Sequence, residues 1–240
     1  MNGIKGIIFD YGGTIDTDGT HWGEVIWDEY INAKVEIEKK LFREAYVHGE
    51  RTLAKEPIIA PTDTFRTLLE KKMAIQAGYL RQRGIAISEE QEKDIAQGCY
   101  NKVLRTLDST CNIIKSLAEQ YPMVLVTNFY GNMPVVLKEF NLGSYFKEIV
   151  ESSVVGIRKP DPALFALGVE ALGLPANEIV VIGDSYRKDI YPALSLGCKA
   201  VWIKNRCWEN EETSDNATPT AIIETIEKFP ALLATHNNEP

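Results

Sequence analysis

The sequence predicts an α/β protein: a doubly wound parallel sheet carrying a small all-helical domain inserted after the first strand. Three observations predict it. Short apolar runs at residues 4–9, 123–126, 179–182 and 200–203 are β-favouring and bounded on both sides, as buried strands of a parallel sheet are. From residue 108 such runs alternate with helical segments, which implies right-handed crossovers and helices on both sheet faces. Between the first and second runs, residues 22–107 are amphipathic at helical spacing, with no strand signal. Residues 1–16 and 108–240 are accordingly assigned to the sheet domain, and 17–107 to the helical one.

Taken in order, the first run ends at Asp10 and is followed by Tyr11-Gly12-Gly13-Thr14, where the glycines permit a sharp turn and a close backbone approach. Residues 22–51 read as helical, with Val25, Ile26, Tyr30, Leu41 and Ala45 at helical spacing. A second helix begins at Asp63, shows Phe65, Leu68, Leu69 and Met73 on one face, and stops at Gly84. Ser88 and Gln91 form a capping box that opens a third helix, through Leu107. Thr110–Gln120 reads as a separate helix, then a strand ends in Thr127-Asn128. A helix over 131–141, a weak strand at 148–150 and a helix over 160–172 with proline in its first turn and Gly173 after it follow. The strand at 179–182 leads into Gly183-Asp184, and helix 190–196 into the strand at 200–203. Residues 205–219 are charged and poor in apolar side chains; residues 220–233 read as a closing amphipathic helix, and the tail as polar and frayed.

Composition narrows the partners. In 240 residues, 45% are apolar and 25% charged, as in ordinary globular chains. The net charge of −8 comes without a lysine/arginine block, which argues against nucleic acid or an anionic membrane as main partner. The four cysteines form no CxxC pair and read as reduced thiols. No signal-peptide pattern and no bilayer-length apolar run is present, so a cytoplasmic protein is expected.

Asp10, Thr127 and Asp184 each end an apolar run. In a parallel sheet that places all three at the edge where such proteins bind ligands. Lys159 precedes the helix that leads into the last of these strands, and Pro160 fixes its turn.

Four stretches together, Asp10–Thr14, Val126-Thr127-Asn128, Arg158-Lys159-Pro160-Asp161-Pro162 and Ile182-Gly183-Asp184-Ser185 with Asp189, resemble the motifs of the haloacid dehalogenase superfamily, most of whose members are magnesium-dependent phosphatases. The resemblance covers nearly the whole chain. It implies a Rossmann-like core with a helical cap, and hydrolysis of a small phosphorylated substrate through an aspartyl-phosphate. It implies Asp10 as nucleophile, Thr127, Asn128, Gly13 and Thr14 around the phosphoryl oxygens, and Lys159 neutralising charge. For Mg²⁺ it implies Asp10, the Gly12 carbonyl and Asp184. Asp189 either orients Lys159 or a metal-bound water, or caps the helix near Ile190. Trp22, Arg43, His48 and Arg51 are the candidates for substrate contact from the helical insertion. The chemistry agrees, since phosphoryl transfer needs an in-line nucleophile and positive charge around the equatorial oxygens.

One position departs from the pattern. Most phosphatases of the superfamily carry a second aspartate two residues after the first, where it protonates the leaving alkoxide; here that position is Gly12. Three explanations are open. Asp16, Tyr11, His21 or His48 supplies the proton. Alternatively the leaving group needs none, as in the phosphonate-cleaving relatives, whose cap lysine forms a Schiff base and for which Lys55 is a candidate. Or the protein binds phosphate and turns over poorly. Dehalogenases lack the metal carboxylates, and Asp184 with Asp189 speaks against that activity.

Overall fold

The computed structural model describes residues 1–208 and 217–234. Six parallel strands run in the order β3-β2-β1-β4-β5-β6: β1 (Gly6–Phe9), β2 (Met123–Thr127), β3 (Glu148–Glu151), β4 (Ile179–Gly183), β5 (Lys199–Ile203) and β6 (Ala221–Ile223). Strand order reverses at β1, which pairs with β2 on one side and β4 on the other. The crevice beyond the strand ends at such a reversal is where open α/β sheets take ligands.

Alternation along β1 shows why its residues are apolar throughout. Ile7 and Phe9 enter the core on one face and Ile8 the core on the other, with none of the three exposed. On the Ile8 face, α7 (Ala163–Leu172) supplies Leu164, Phe165 and Leu172. Gly168 of α7 lies so close to β2 that an added Cβ would sit 2.6 Å from Val126. On the Phe9 face the core continues into four helices: α1 (Trp22–Asn32), α2 (Lys39–Lys55), α3 (Phe65–Arg81) and α4 (Glu89–Ala118). Shorter helices α5 (Met133–Glu139), α6 (Ser152–Val155), α8 (Tyr191–Ser195) and α9 (Phe229–Ala234) are the other α-helices among the described residues.

Several expected boundaries are corrected. Residues 22–51 are two helices rather than one, because Lys34 adopts a left-handed φ of 57° and turns the chain after α1. Conversely, the helices expected at 88–107 and 110–120 are one, α4, which passes straight through residue 108. Ser109 and Thr110, which read as a break, bond back to the Thr106 carbonyl at 3.1 and 3.0 Å and so satisfy their hydroxyls within the helix. The Ser88–Gln91 capping box forms as expected. Helix α7 begins at Ala163 rather than residue 160, since Arg158–Asp161 forms a turn whose Asp161 side chain accepts from the Ala163 amide. Helix α8 is preceded by a wide helical turn, Tyr186–Ile190, that carries Asp189.

The closing helix expected over 220–233 starts instead as β6. Its short β-branched run exposes Ile222 and buries Ile223, and α9 forms only from Phe229. The polar tail beyond residue 234 and most of the charged 205–219 stretch lie outside the described residues. Cys99, Cys111 and Cys198 are free thiols. Among the described residues no helix is long and apolar enough to cross a membrane.

Candidate active site

Strand β1 ends at Asp10, whose amide still donates to the Ile182 carbonyl of β4 at 3.0 Å. The ladder therefore fixes the carboxylate's origin. Both of its oxygens are engaged: Oδ1 accepts from Lys159 Nζ at 2.6 Å and Oδ2 from the Thr14 hydroxyl at 2.9 Å. Lys159 is 4% exposed and gives a second proton to Asp189 Oδ1 at 2.7 Å. The other Asp189 oxygen accepts from the Ser185 amide at 3.1 Å. Asp189 thus bonds the Lys159 ammonium, the contact that one of its two expected roles requires.

Asn128 acts on the lysine's backbone. Its Oδ1 accepts from the Lys159 amide at 2.9 Å and its Nδ2 donates to the Lys159 carbonyl at 3.2 Å. Thr127 is buried at the end of β2 and lines the same cavity. Gly13 has a φ of +99°, and a Cβ there would stand 2.4 Å from Asp184 Oδ2, so only glycine lets that carboxylate approach.

Asp10, Asp184 and Asp189 each present a carboxylate oxygen within 4.8 Å of the others. The buried Lys159 ammonium faces this group, and Lys188, which also lines the cavity, adds positive charge near Asp184. Burial raises the Asp10 pKa to about 6 against the opposing pull of Lys159, with Asp189 pushing further up. Burial and the charges of Asp10 and Asp189 hold Asp184 well above the usual carboxylate range. Burial disfavours the Lys159 ammonium, but Asp10 and Asp189 outweigh it and raise its pKa. Three hard oxygen donors with excess negative charge suit a divalent cation such as Mg²⁺.

The cavity above these groups, about 110 Å³, is closed on the other side by α1–α3. Of the expected contacts from the helical insertion, Trp22 lines it; Arg43, His48 and Arg51 do not. The Arg43 guanidinium donates to the Trp208 carbonyl at 2.8 Å and lies over its ring, His48 packs on Tyr79, and Arg51 is exposed. Lys55 is exposed as well.

Residues that sequence reasoning missed take their place. Lys72 of α3 and Glu50 of α2 form an ion pair at 2.7 Å, and the Tyr130 hydroxyl donates to Glu50 Oε2 at 2.9 Å. Both charges carried a signal. Lys72 follows Leu68 and Leu69 by one helical turn, and Glu50 follows Tyr46 likewise, so each stands on its helix's apolar face. Burial opposes both charges, yet each partner holds the other ionised: Lys72 shifts up and Glu50 down.

The four groups considered as replacements for a carboxylate at position 12 separate clearly. The Tyr11 ring is wholly buried against Phe65 and Phe129, and burial raises its pKa far. His48 is remote from the cavity. His21 caps α1, its Nδ1 accepting from the Gly23 amide at 3.0 Å, so its proton sits on Nε2. Burial lowers its pKa to about 3, which leaves it a neutral hydrogen-bond donor at the cavity wall rather than a proton reservoir. Asp16 is buried behind the wall: Oδ1 accepts from the Gly13 amide at 2.7 Å and Oδ2 from Trp22 Nε1 at 3.0 Å. It ties the turn after β1 to the first helix.

Burial raises the Asp16 pKa to about 7, above the ordinary value of 3.8 that an unfolded chain would show. The folded state therefore binds the extra proton. The resulting stability is complete below about pH 4 and is lost as pH rises towards 7. Asp16→Asn removes this dependence. Relative to the variant, wild-type stability should fall by a few kcal/mol, on the order of 1.4 per pKa unit, between pH 4 and 7; urea titrations at both pH values measure it, and parallel curves would refute the assignment.

Comparison with known proteins adds the family. A family model described as haloacid dehalogenase-like hydrolase matches residues 4–197. The 5-amino-6-(5-phospho-D-ribitylamino)uracil phosphatase YigB of Escherichia coli is 33% identical over 107 residues, which is 45% of this chain and 43% of that protein. A phosphoglycolate phosphatase of Pectobacterium atrosepticum is 32% identical over 134 residues, 53% of this chain and 56% of that protein. The chain thus spans about half the length of the curated relatives it matches. Among solved structures, the magnesium-bound YfnB protein of Bacillus subtilis superposes with a TM-score of 0.59 at 18% identity, covering 96% of this chain and 99% of that one. An L-2-haloacid dehalogenase of Xanthobacter autotrophicus gives 0.64 at 15% identity, covering 97% and 99%. At such identities these two likenesses speak to the fold alone.

Proposed function

This chain belongs to the haloacid dehalogenase-like hydrolases, and on that premise we propose that it is a Mg²⁺-dependent phosphohydrolase of a small phosphorylated metabolite. One observation carries the reading: Asp10, Asp184 and Asp189 converge within 4.8 Å around a single buried lysine at the sheet's ligand edge. The phosphatases among the relatives support the same class.

Asp10, Asp184 and the Gly12 carbonyl would hold the ion, with Asp189 beside them. Bound there, it supplies positive charge next to the phosphoryl oxygens. The Asp10 carboxylate attacks phosphorus in line, and the ester oxygen leaves with the bonding electrons. Water then attacks the aspartyl-phosphate, releasing inorganic phosphate and restoring Asp10. Lys159 offsets the repulsion between the attacking carboxylate and the anionic substrate. Thr127 and the amides of the loop after β2 hold the phosphoryl oxygens, and Asn128 fixes the backbone from which Lys159 reaches in. The insertion of α1–α4 serves as a cap that excludes water and selects the substrate.

None of the four groups considered replaces a proton donor at position 12. Asp16 and Tyr11 are buried away from the cavity, His48 is distant, and His21 is neutral. Alkyl phosphates should therefore turn over, but more slowly than esters whose leaving group departs unaided. A Schiff-base mechanism is not favoured, because Lys55 is exposed and Glu50 keeps Lys72 protonated.

With Mg²⁺ present, 4-nitrophenyl phosphate should be hydrolysed faster than an alkyl phosphate. A Cβ at Gly12 would meet nothing closer than the Trp22 ring at 3.8 Å, so Gly12→Asp fits. It should raise alkyl-phosphate kcat by about 10²-fold. Phosphate binding without turnover of either ester would mark a non-hydrolytic member of the family.

A further inference from the structure

The cavity has two unlike halves. The core half is built for an anion and a cation around Asp10 and Lys159. The cap half is polar, and its buried ion pair carries no net charge; Lys188 and Arg158, on the core side, line the same cavity, and Lys188 also attracts Glu50. The ions of the pair, Lys72 and Glu50, are committed to each other at 2.7 Å, and the Tyr130 hydroxyl takes a second Glu50 oxygen. His21 beside them is neutral, with its Nδ1 committed to the Gly23 amide. The remaining wall is aromatic and aliphatic: Trp22, Tyr46, Phe65 and Leu68.

Resting on the phosphohydrolase reading, we propose that the Lys72–Glu50 pair is the element that recognises the leaving group, and that this group is an uncharged polyhydroxyl chain or ring, so that the substrate is a polyol or sugar phosphate.

A hydroxyl is the group that suits such a pair. It donates to a Glu50 oxygen and accepts from the Lys72 ammonium without disturbing the balance of charge. A carboxylate in the same place faces Glu50, and an ammonium faces Lys72; either adds a third charge to a buried pair already neutral. Lys72 keeps one donor for a ligand, since its ammonium carries three protons and is shared between Glu50 Oε1 and the Tyr130 hydroxyl. The aromatic faces of Trp22 and Tyr46 offer flat apolar surface to the C–H faces of such a chain or ring, as mixed ligand sites do. A site built to hydrogen-bond hydroxyls rejects analogues lacking them strongly, because its buried polar groups are then left unpaired.

The test uses matched esters with Mg²⁺ and the full chain. Glycerol 3-phosphate and 3-phosphoglycerate differ only in CH₂OH against carboxylate, and sorbitol 6-phosphate and 6-phosphogluconate repeat that difference on a longer chain; 4-nitrophenyl phosphate reports the hydrolase itself. In at least one pair the polyol ester should exceed the acid by roughly tenfold or more in kcat/KM, the scale of one well-made contact. The double variant Lys72→Met with Glu50→Gln removes both charges together, so neither is stranded. It should lower the ratio of polyol-phosphate to aryl-phosphate kcat/KM by about tenfold, mostly through KM. Aryl-phosphate turnover with the acids preferred, or with that ratio unmoved in the variant, overturns the recognition by Lys72 and Glu50 alone. No turnover of any ester overturns the phosphohydrolase reading and takes this inference with it.

Discussion

Asp10→Asn should abolish 4-nitrophenyl phosphate turnover, lowering kcat by about 10⁴-fold or more, as loss of a nucleophile does. The amide keeps the side chain's shape but is uncharged and too weak a nucleophile to attack phosphorus. Loss of fold does not explain the effect. Burial already raises the Asp10 pKa to about 6, so a neutral group is tolerated there, and Lys159 keeps its second partner, Asp189, at 2.7 Å. The variant should therefore melt close to wild type when both are free of metal. It should differ in its response to Mg²⁺. A ligand at a hundred times its Kd stabilises by about 2.7 kcal/mol, on the order of 5–10 °C for a chain of this size, and the variant should lose most of that gain. Residual turnover within tenfold of wild type would show that Asp10 is not the attacking group.

The second large effect falls on stability. Lys159→Met removes a cation with 2% of its side chain exposed and leaves Asp10 and Asp189 unpaired in the same pocket as Asp184. Stripping one partner from a buried ion network costs about 3–5 kcal/mol, or on the order of 6–20 °C in melting temperature. The sign of the pH dependence follows. Without the lysine, the Asp10 pKa rises further above its unfolded value. The penalty is then absent below about pH 4, where Asp10 is protonated in both states, and is present near pH 7. Mg²⁺ should recover part of the loss at pH 7. Equal melting of variant and wild type in EDTA at pH 7 would show that Lys159 does not neutralise this cluster.

What could be read from the sequence follows from how each residue is placed. Asp10, Thr127 and Asp184 end strands, so the main-chain path alone carries them to one sheet edge; a pattern of apolar runs is enough to find them. Lys159 was legible from its place before a helix and from the motif around Pro160, although its partners Asp10 and Asp189 lie 149 and 30 residues away. The wall formed by α1–α3 was not legible. Arg43, His48 and Arg51 were plausible as charged or titratable side chains on helices, but their helices turn them to Trp208, to Tyr79 and to solvent. Lys72 and Glu50 stood on apolar faces, where helical spacing reads as core, and only the packing of α2 against α3 makes them partners. The same limit explains the helix boundaries. Lys34's left-handed turn and the back-bonded hydroxyls of Ser109 and Thr110 are decided by local hydrogen bonds that leave no periodic trace.

The most direct test of a covalent phosphoryl-transfer centre at Asp10 is to quench the enzyme in acid during turnover of 4-nitrophenyl phosphate with Mg²⁺ and weigh its peptides. The peptide containing Asp10 should carry one phosphoryl group, in an amount that decays when substrate runs out and is absent from Asp10→Asn. Steady hydrolysis with that peptide unmodified throughout, or an equal phosphoryl load on Asp10→Asn, would contradict it.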